Sequence, residues 1–230
     1  VLLAPEHELV ERLARESHDP AGLRESAARF RRQERSARMT GAVEKEGFAT
    51  GRFAVEDTQR YGETIVHSGR VVEGSIALGS DVTVRVDGER RLDTARNHTG
   101  THLVHAALRS VLGTHVRQAG SYVGPDRLRF DYTHPEAPSE DELQTIQRLV
   151  NSKVRADIES ATFDLDYDDA IAHGAIAFFE DRYASRVRMV EYCDSRGHAA
   201  GEHTDDCYSR ELCGGTHLHS TGQVGMLLIV

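Results

Sequence analysis

Residues 97–108 read NHTGTHLVHAAL. Leu103, Ala106, Ala107 and, just beyond, Val111 recur at helical spacing, so the stretch predicts an amphipathic helix rather than a strand. On that helix His98 and His102 stand about 40° apart around the axis and one turn apart along it. Two imidazoles so placed can share one divalent cation. Alone the pair says little, because the chain holds thirteen histidines, and His105 in the same helix falls outside the pattern. The other half lies far downstream. Residues 210–220 read RELCGGTHLHS and place Cys213, one of only three cysteines, four positions before His217. Gly214 and Gly215 leave the backbone free to turn both side chains toward one point. Three imidazoles and one thiolate form a nitrogen–sulfur set that suits tetrahedral Zn2+ and disfavours hard cations such as Mg2+. His98, His102, Cys213 and His217 are therefore the expected zinc ligands.

The flanking sequence sets the expected fold. Residues 6–18 carry Leu9, Val10 and Leu13 at helical spacing, and Asp19-Pro20 is a stop-and-restart signal, so a second helix is expected to about Met39. After Gly41 valine-rich alternation takes over, punctuated by Gly62, Gly69, Gly74, Gly79 and Gly88, which predicts a small antiparallel, barrel-like β module. Helix signals return from Asp93. The linker-like THPEAPSEDE leads into a helix announced by a capping box, Ser139 and Glu142, with apolar Leu143, Ile146, Leu149, Val150, Val154 and Ile158 on its inner face. RLRFDY, VRMVEY and GMLLIV read as strands. The expected class is α+β: a helical, arginine-rich segment over 1–42, a β module over 43–92, and a two-layer α/β module over 93–230 that carries the zinc site.

Composition excludes several classes. With 230 residues, 39% hydrophobic and 28% charged, the chain is ordinary for a globular protein, and no apolar run approaches the roughly 20 residues that span a bilayer. VLLAPEHELV lacks a basic n-region and an apolar h-region, so no signal peptide is expected; three cysteines do not suit a secreted disulfide scaffold, and cytoplasm is the expected compartment. A formal net charge of −9 argues against non-specific nucleic-acid binding, which depends on Lys and Arg neutralising phosphates. Arg24, Arg29, Arg31, Arg32, Arg35 and Arg38 nonetheless crowd one stretch, either a solvated helix face or a phosphate-facing one.

A second donor array stands in residues 192–215, YCDSRGHAAGEHTDDCYSRELCGG. Cys193, His198, His203 and Cys207 are spaced C-x4-H-x4-H-x3-C between two strands, in a loop with almost no apolar residues. This array is either a second zinc site that staples the loop or a polar insertion with reduced cysteines.

The run NHTGTHLVHAALRSVLGTHVRQAGSYVGPDRLRFDY, followed by SRELCGGTHLHSTGQVG and preceded by FAVEDTQ and VHSGRVVEG, resembles the editing domain of alanyl-tRNA synthetases and of freestanding alanyl-tRNA editing proteins over about residues 48–230. The resemblance implies zinc-dependent hydrolysis of the ester that joins serine, or glycine, to tRNA(Ala), with that mischarged tRNA as partner. A pocket shaped for alanine rejects glycine or serine by only about 1–3 kcal/mol, so a second, hydrolytic site is needed. The resemblance also gives Gln118 a pocket role, where the plain alternative is an exposed strand residue. Thr101, about 60° from His98 on the helix, is a second pocket candidate; its plain alternative is a hydroxyl bonded back to its own helix. Ser121 and Asp131 are weaker candidates. One departure is the lack of a glycine-rich segment ending in Gln before FAVEDTQ. Gly100 inside the helix points to close approach of backbone or ligand. Two other functions fit the same residues: a zinc-stabilised module that holds tRNA without hydrolysis, and a transferase that passes the aminoacyl ester to another acceptor.

Overall fold

The computed structural model describes residues 39–42, 51–61, 64–77, 79, 82–177, 183–194 and 207–230. The arginine-rich segment before Met39, His198 and His203 lie outside the described residues. Met39–Ala42, expected at the end of a helix and in the helical segment, form strand β1 instead. The reason is pairing: β1 lies antiparallel between β2 (Arg52–Tyr61) and β4 (Thr83–Val86), so both edges of its backbone find partners. β2 also forms a long antiparallel ladder with β3 (Thr64–Glu73), giving the order β3-β2-β1-β4. The expected barrel is thus an open sheet among the described residues. Four strands leave β3 and β4 as edges, too few to close on themselves.

The stretch after β4 was expected to remain in the β module until Asp93, but helix α1 spans Gly88–Leu112. Asp87 starts it early, its carboxylate accepting from the Arg90 amide at 3.0 Å. This helix is the central element of the second module. Leu103, Val104, Ala107 and Leu108 pack with Val116 and with Ile146, Val150 and Val154 of α2 (Glu140–Ala156) into one core. The capping box at the start of α2 forms as the sequence indicates, Ser139 and Glu142 bonding reciprocally. A hairpin, β5 (Gln118–Val123) and β6 (Leu128–Tyr132), is tied to α1 where Asn97 donates to the Gly124 carbonyl at 2.8 Å.

A three-stranded antiparallel sheet completes the module, ordered β7 (Ser160–Asp166), β8 (Arg186–Cys193), β9 (Cys207–Leu212). The short helix α3 (Tyr167–Ala172) follows β7. GMLLIV is not a strand. Leu227 and Ile229 pack on the helix core, and Asn151 and Gln147 of α2 hold their backbone: the Leu227 amide donates to Asn151 Oδ1 at 3.0 Å and the Ile229 amide to Gln147 Oε1 at 2.8 Å. Side-chain amides here replace a neighbouring strand. Among the described residues no helix is long and apolar enough to cross a membrane.

Gly100 is explained by packing: a Cβ there would meet Leu128 of β6 and Leu227, each at 3.2 Å. Gly100→Val is expected to destabilise the domain by about 1–3 kcal/mol through overpacking, read as a lowered midpoint in thermal denaturation.

Candidate metal centre

The centre is built where α1 passes the end of β9. Helical spacing brings His98 and His102 to the same face, and β9 delivers Cys213 one residue past its end. The Cys213 amide donates to the Arg188 carbonyl of β8 at 2.9 Å, and Arg188 Nη1 donates to the Gly215 carbonyl at 2.7 Å, so β8 fixes the two-glycine turn at both sides. Beyond the turn the Leu218 amide donates to Thr99 Oγ1 of α1 at 3.1 Å, which returns His217 to the helix. Gly215 has a steric duty too: a Cβ on it would occupy the place of the His98 ring.

The four predicted ligands converge. One donor atom from each of His98, His102, Cys213 and His217 lies within 4.8 Å of all the others. Cys213 Sγ is 3.3 Å from His98 Nε2, close to the roughly 3.5 Å edge of a zinc tetrahedron with bonds of about 2.1–2.3 Å. The rings of His98 and His217 are 4.3 Å apart and those of His102 and His217 4.9 Å. His102 Nε2 and both nitrogens of His217 are buried with no hydrogen-bond partner among the described residues beyond the sulfur that the rings surround. Buried polar nitrogens left in this way are costly unless something binds them. Nitrogen and sulfur donors aimed at one point fit a zinc ion.

Electrostatics around the sulfur agree. Burial alone would raise the Cys213 thiol, but His102, His217 and His98 outweigh it and hold the group well below its ordinary value, as a thiolate. Burial would lower His102, yet Glu211 and Cys213 push it up. Zinc ligation needs the thiolate and displaces the imidazole proton.

Two residues that spacing did not single out complete the centre. Glu211 is buried between His102 and His105: its Oε2 bonds His102 Nδ1, and its Oε1 lies 2.8 Å from His105 Nδ1 and accepts from Ser209 Oγ at 3.2 Å. Burial opposes its charge, but the two histidines hold it ionised, well below the usual carboxylate range. A carboxylate at Nδ1 fixes the tautomer that presents Nε2 to a metal. His105 thus belongs to the support of the centre. The signal was present in the sequence, since Glu211 precedes Cys213 by two in an alternating strand and His105 follows His102 by three in a helix. Only tertiary contact joins them.

The pocket candidates stand outside the ligand cluster. Thr101 is buried, and its hydroxyl donates to the Asn97 carbonyl at 2.8 Å, the bond back to its own helix foreseen as the plain alternative. Gln118, on β5, donates to Ser121 Oγ at 3.0 Å. Asp131 is paired with Arg129 at 2.8 Å. Of the second array, Cys193 and Cys207 face each other across β8 and β9 and form a disulfide, which takes both thiolates out of metal binding in this state.

Residues 187–230 match the family model described as the threonyl and alanyl tRNA synthetase second additional domain. The chain is also 47% identical over 192 residues to an alanine--tRNA ligase of Chelativorans sp. (strain BNC1), a match that covers 83% of this chain and 21% of that protein. A second alanine--tRNA ligase, from Nitratidesulfovibrio vulgaris (strain Hildenborough), is 47% identical over 182 residues, covering 79% of this chain and 19% of its own length. The chain therefore spans about a fifth of the length of the curated relatives it matches. With the ligand-bearing strand and turn inside the matched segment, the chain is a domain of the alanyl-tRNA synthetase editing-related family.

Proposed function

We propose that this domain hydrolyses the ester of seryl-tRNA(Ala), with Zn2+ held by His98, His102, Cys213 and His217. The observation that carries this reading is the convergence of those four donors, with buried imidazole nitrogens that find no partner among the described residues beyond the Cys213 sulfur. With all four protein ligands in place zinc would supply a fixed positive charge at the site, and direct contact with the aminoacyl end would require one ligand to be displaced. The chain supplies the rest. Glu211 locks His102, the Arg188 clamp on Gly215 keeps Cys213 and His217 in register, and Ile158, Val190 and Tyr192 form an apolar wall against one side of the half-buried Cys213. The Thr101 hydroxyl gives its proton to Asn97, so its oxygen is left with acceptor capacity, and the reading assigns it to a serine hydroxyl that the buried helix face would have to open to admit, with nothing to receive from alanine.

A hydroxyl-reading site spares alanine because the smaller substrate leaves a polar partner unmatched. Thr101→Val is accordingly expected to reduce the preference for seryl- over alanyl-tRNA(Ala) by about tenfold, in line with one lost hydrogen bond of about 1.5 kcal/mol, with little change in melting temperature. Equal hydrolysis ratios in variant and parent would remove Thr101 from the pocket. The decisive experiment for the function is amino-acid release from seryl-, glycyl- and alanyl-tRNA(Ala), with and without chelator. Release from seryl-tRNA(Ala) that stops on chelation supports the reading, and equal release from alanyl-tRNA(Ala) overturns it. Binding of tRNA without release would make the domain a holding module, and recovery of the amino acid on another acceptor would make it a transferase.

A further inference from the structure

The disulfide face of the third sheet carries a second group of ligand atoms that the proposed editing chemistry does not use. Glu191 and Cys193 are two apart on β8 and so share one face of the sheet. On β9, Arg210 pairs with Glu191, Ser209 with Tyr192, and a bulge then skips Tyr208 so that Cys207 pairs with Cys193. The bulge keeps Cys207 and Arg210 on the same face although they are three residues apart. Glu211, on the other face of β9, turns toward α1 and the first centre. A carboxylate oxygen of Glu191 and the two sulfurs lie within 4.8 Å of one another. Glu191 is buried, and so is Arg210, which donates from Nε to Glu191 Oε2 at 2.7 Å, from Nη2 to Cys207 Sγ at 2.9 Å and from Nη1 to the His173 carbonyl at 2.6 Å.

Charge decides what this cluster wants in each redox state. With the disulfide closed, one buried carboxylate faces one buried guanidinium and the pair is neutral. Opening the disulfide by a thiol reductant moves two electrons: the S–S bond breaks, Cys193 and Cys207 each become a thiol, and the reductant's two thiols become a disulfide. If both protein thiols then ionise, two thiolates and Glu191 carry three negative charges against the single positive charge of Arg210. The remaining two charges are neutralised by one divalent cation, and buried charge without such compensation is strongly disfavoured. We propose that the dithiol form of Cys193 and Cys207, with Glu191 as third donor, is a second metal site for a soft divalent cation of the Zn2+ or Cd2+ class, closed by the disulfide in the oxidised state. Two thiolates select such cations over Mg2+ and Ca2+. Each metal taken up displaces the two thiol protons. The metal spans β8 and β9 at the root of the segment 194–206. It thereby fixes the start of the strand whose other end delivers Glu211 and Cys213.

Zinc counting by elemental analysis tests this on the full chain in three forms: reduced wild type, wild type oxidised with a disulfide reagent, and reduced Cys193→Ser/Cys207→Ser. Two equivalents in the first form and one in each of the others is the expected result. The oxidised wild type makes the comparison without mutation, so the test survives if the double variant fails to fold. Glu191→Gln is expected to weaken the second equivalent by about tenfold while leaving the first. Added Cd2+ should give stronger cadmium–thiolate absorption in reduced wild type than in the double variant, which keeps only Cys213. Equal metal content in all three forms overturns the proposal, whether the count is one or two. One equivalent in the reduced wild type and none in the other forms would uphold this site and overturn the first.

Discussion

Glu211→Ala is expected to lower zinc affinity about 10- to 100-fold and to cost about 3–5 kcal/mol of stability. The carboxylate is buried and bonds His102 and His105 at once. Without it His102 loses the partner that holds its Nε2 toward the other three ligands, and His105 loses the acceptor at its Nδ1. Breaking a buried charged network by removing one member is far costlier than never having it, because the other members keep their desolvation penalty. Chelator competition reads the metal affinity, and denaturant unfolding of metal-free protein reads the stability. Glu211→Gln separates the two roles. Its amide oxygen can still accept from one imidazole, so stability should recover more than affinity does. A Gln variant that binds zinc as tightly as the parent would strip Glu211 of its positioning role.

Gly215→Ala is expected to weaken zinc binding about 100- to 1,000-fold. The added methyl would fall on the His98 ring, and neither neighbour can yield easily: His98 is fixed by α1, and the Gly215 carbonyl is clamped by Arg188. His98 must swing away, taking one of four donors with it. If a full structural zinc site is worth about 10–16 kcal/mol, one ligand's share is about 3–4 kcal/mol, a loss on the order of 100- to 1,000-fold in affinity. A cobalt-substituted variant should show an altered ligand-field spectrum with the sulfur charge-transfer band retained, since Cys213 remains. An unchanged spectrum would mean that His98 is not a ligand.

The clustering of the four candidate ligands was legible because their pattern is periodic. HxxxH on a helix face and a cysteine followed by a glycine turn are local patterns, and the four named donors meet as expected. Glu211 and His105 were not legible for the opposite reason: neither has a local pattern, and their role exists only where β9 crosses α1. In the fold, the Ser139–Glu142 box and the inner-face positions Ile146, Val150 and Val154 of α2 could be read directly because they are set within one or two turns, whereas Ile158, read as part of the same face, falls past the left-handed cap at Asp157 and packs with Val190 and Tyr192 instead. Asp87 does not read as a cap in sequence because the glycine and arginines after it resemble a strand-to-turn transition. GMLLIV reads as a strand because an extended apolar run buries every second residue, here Leu227 and Ile229, beside a helix as it would in a sheet, provided that amides such as Asn151 and Gln147 supply the bonds that a neighbouring strand would give. The barrel expectation counted strands correctly as antiparallel but had no means to judge closure, a property of edges rather than of residues.

His98 and Cys213 are separated by 115 positions in the chain. An ion gripping both acts as a reversible cross-link over most of the second module. By loop-closure reasoning such a tether removes about 5 kcal/mol worth of freedom from the unfolded chain. Stripping the ion would then loosen the docking of the last strand and tail onto the long helix, so in the chelation test of the proposed hydrolysis the folding of the stripped domain must be measured beside its activity.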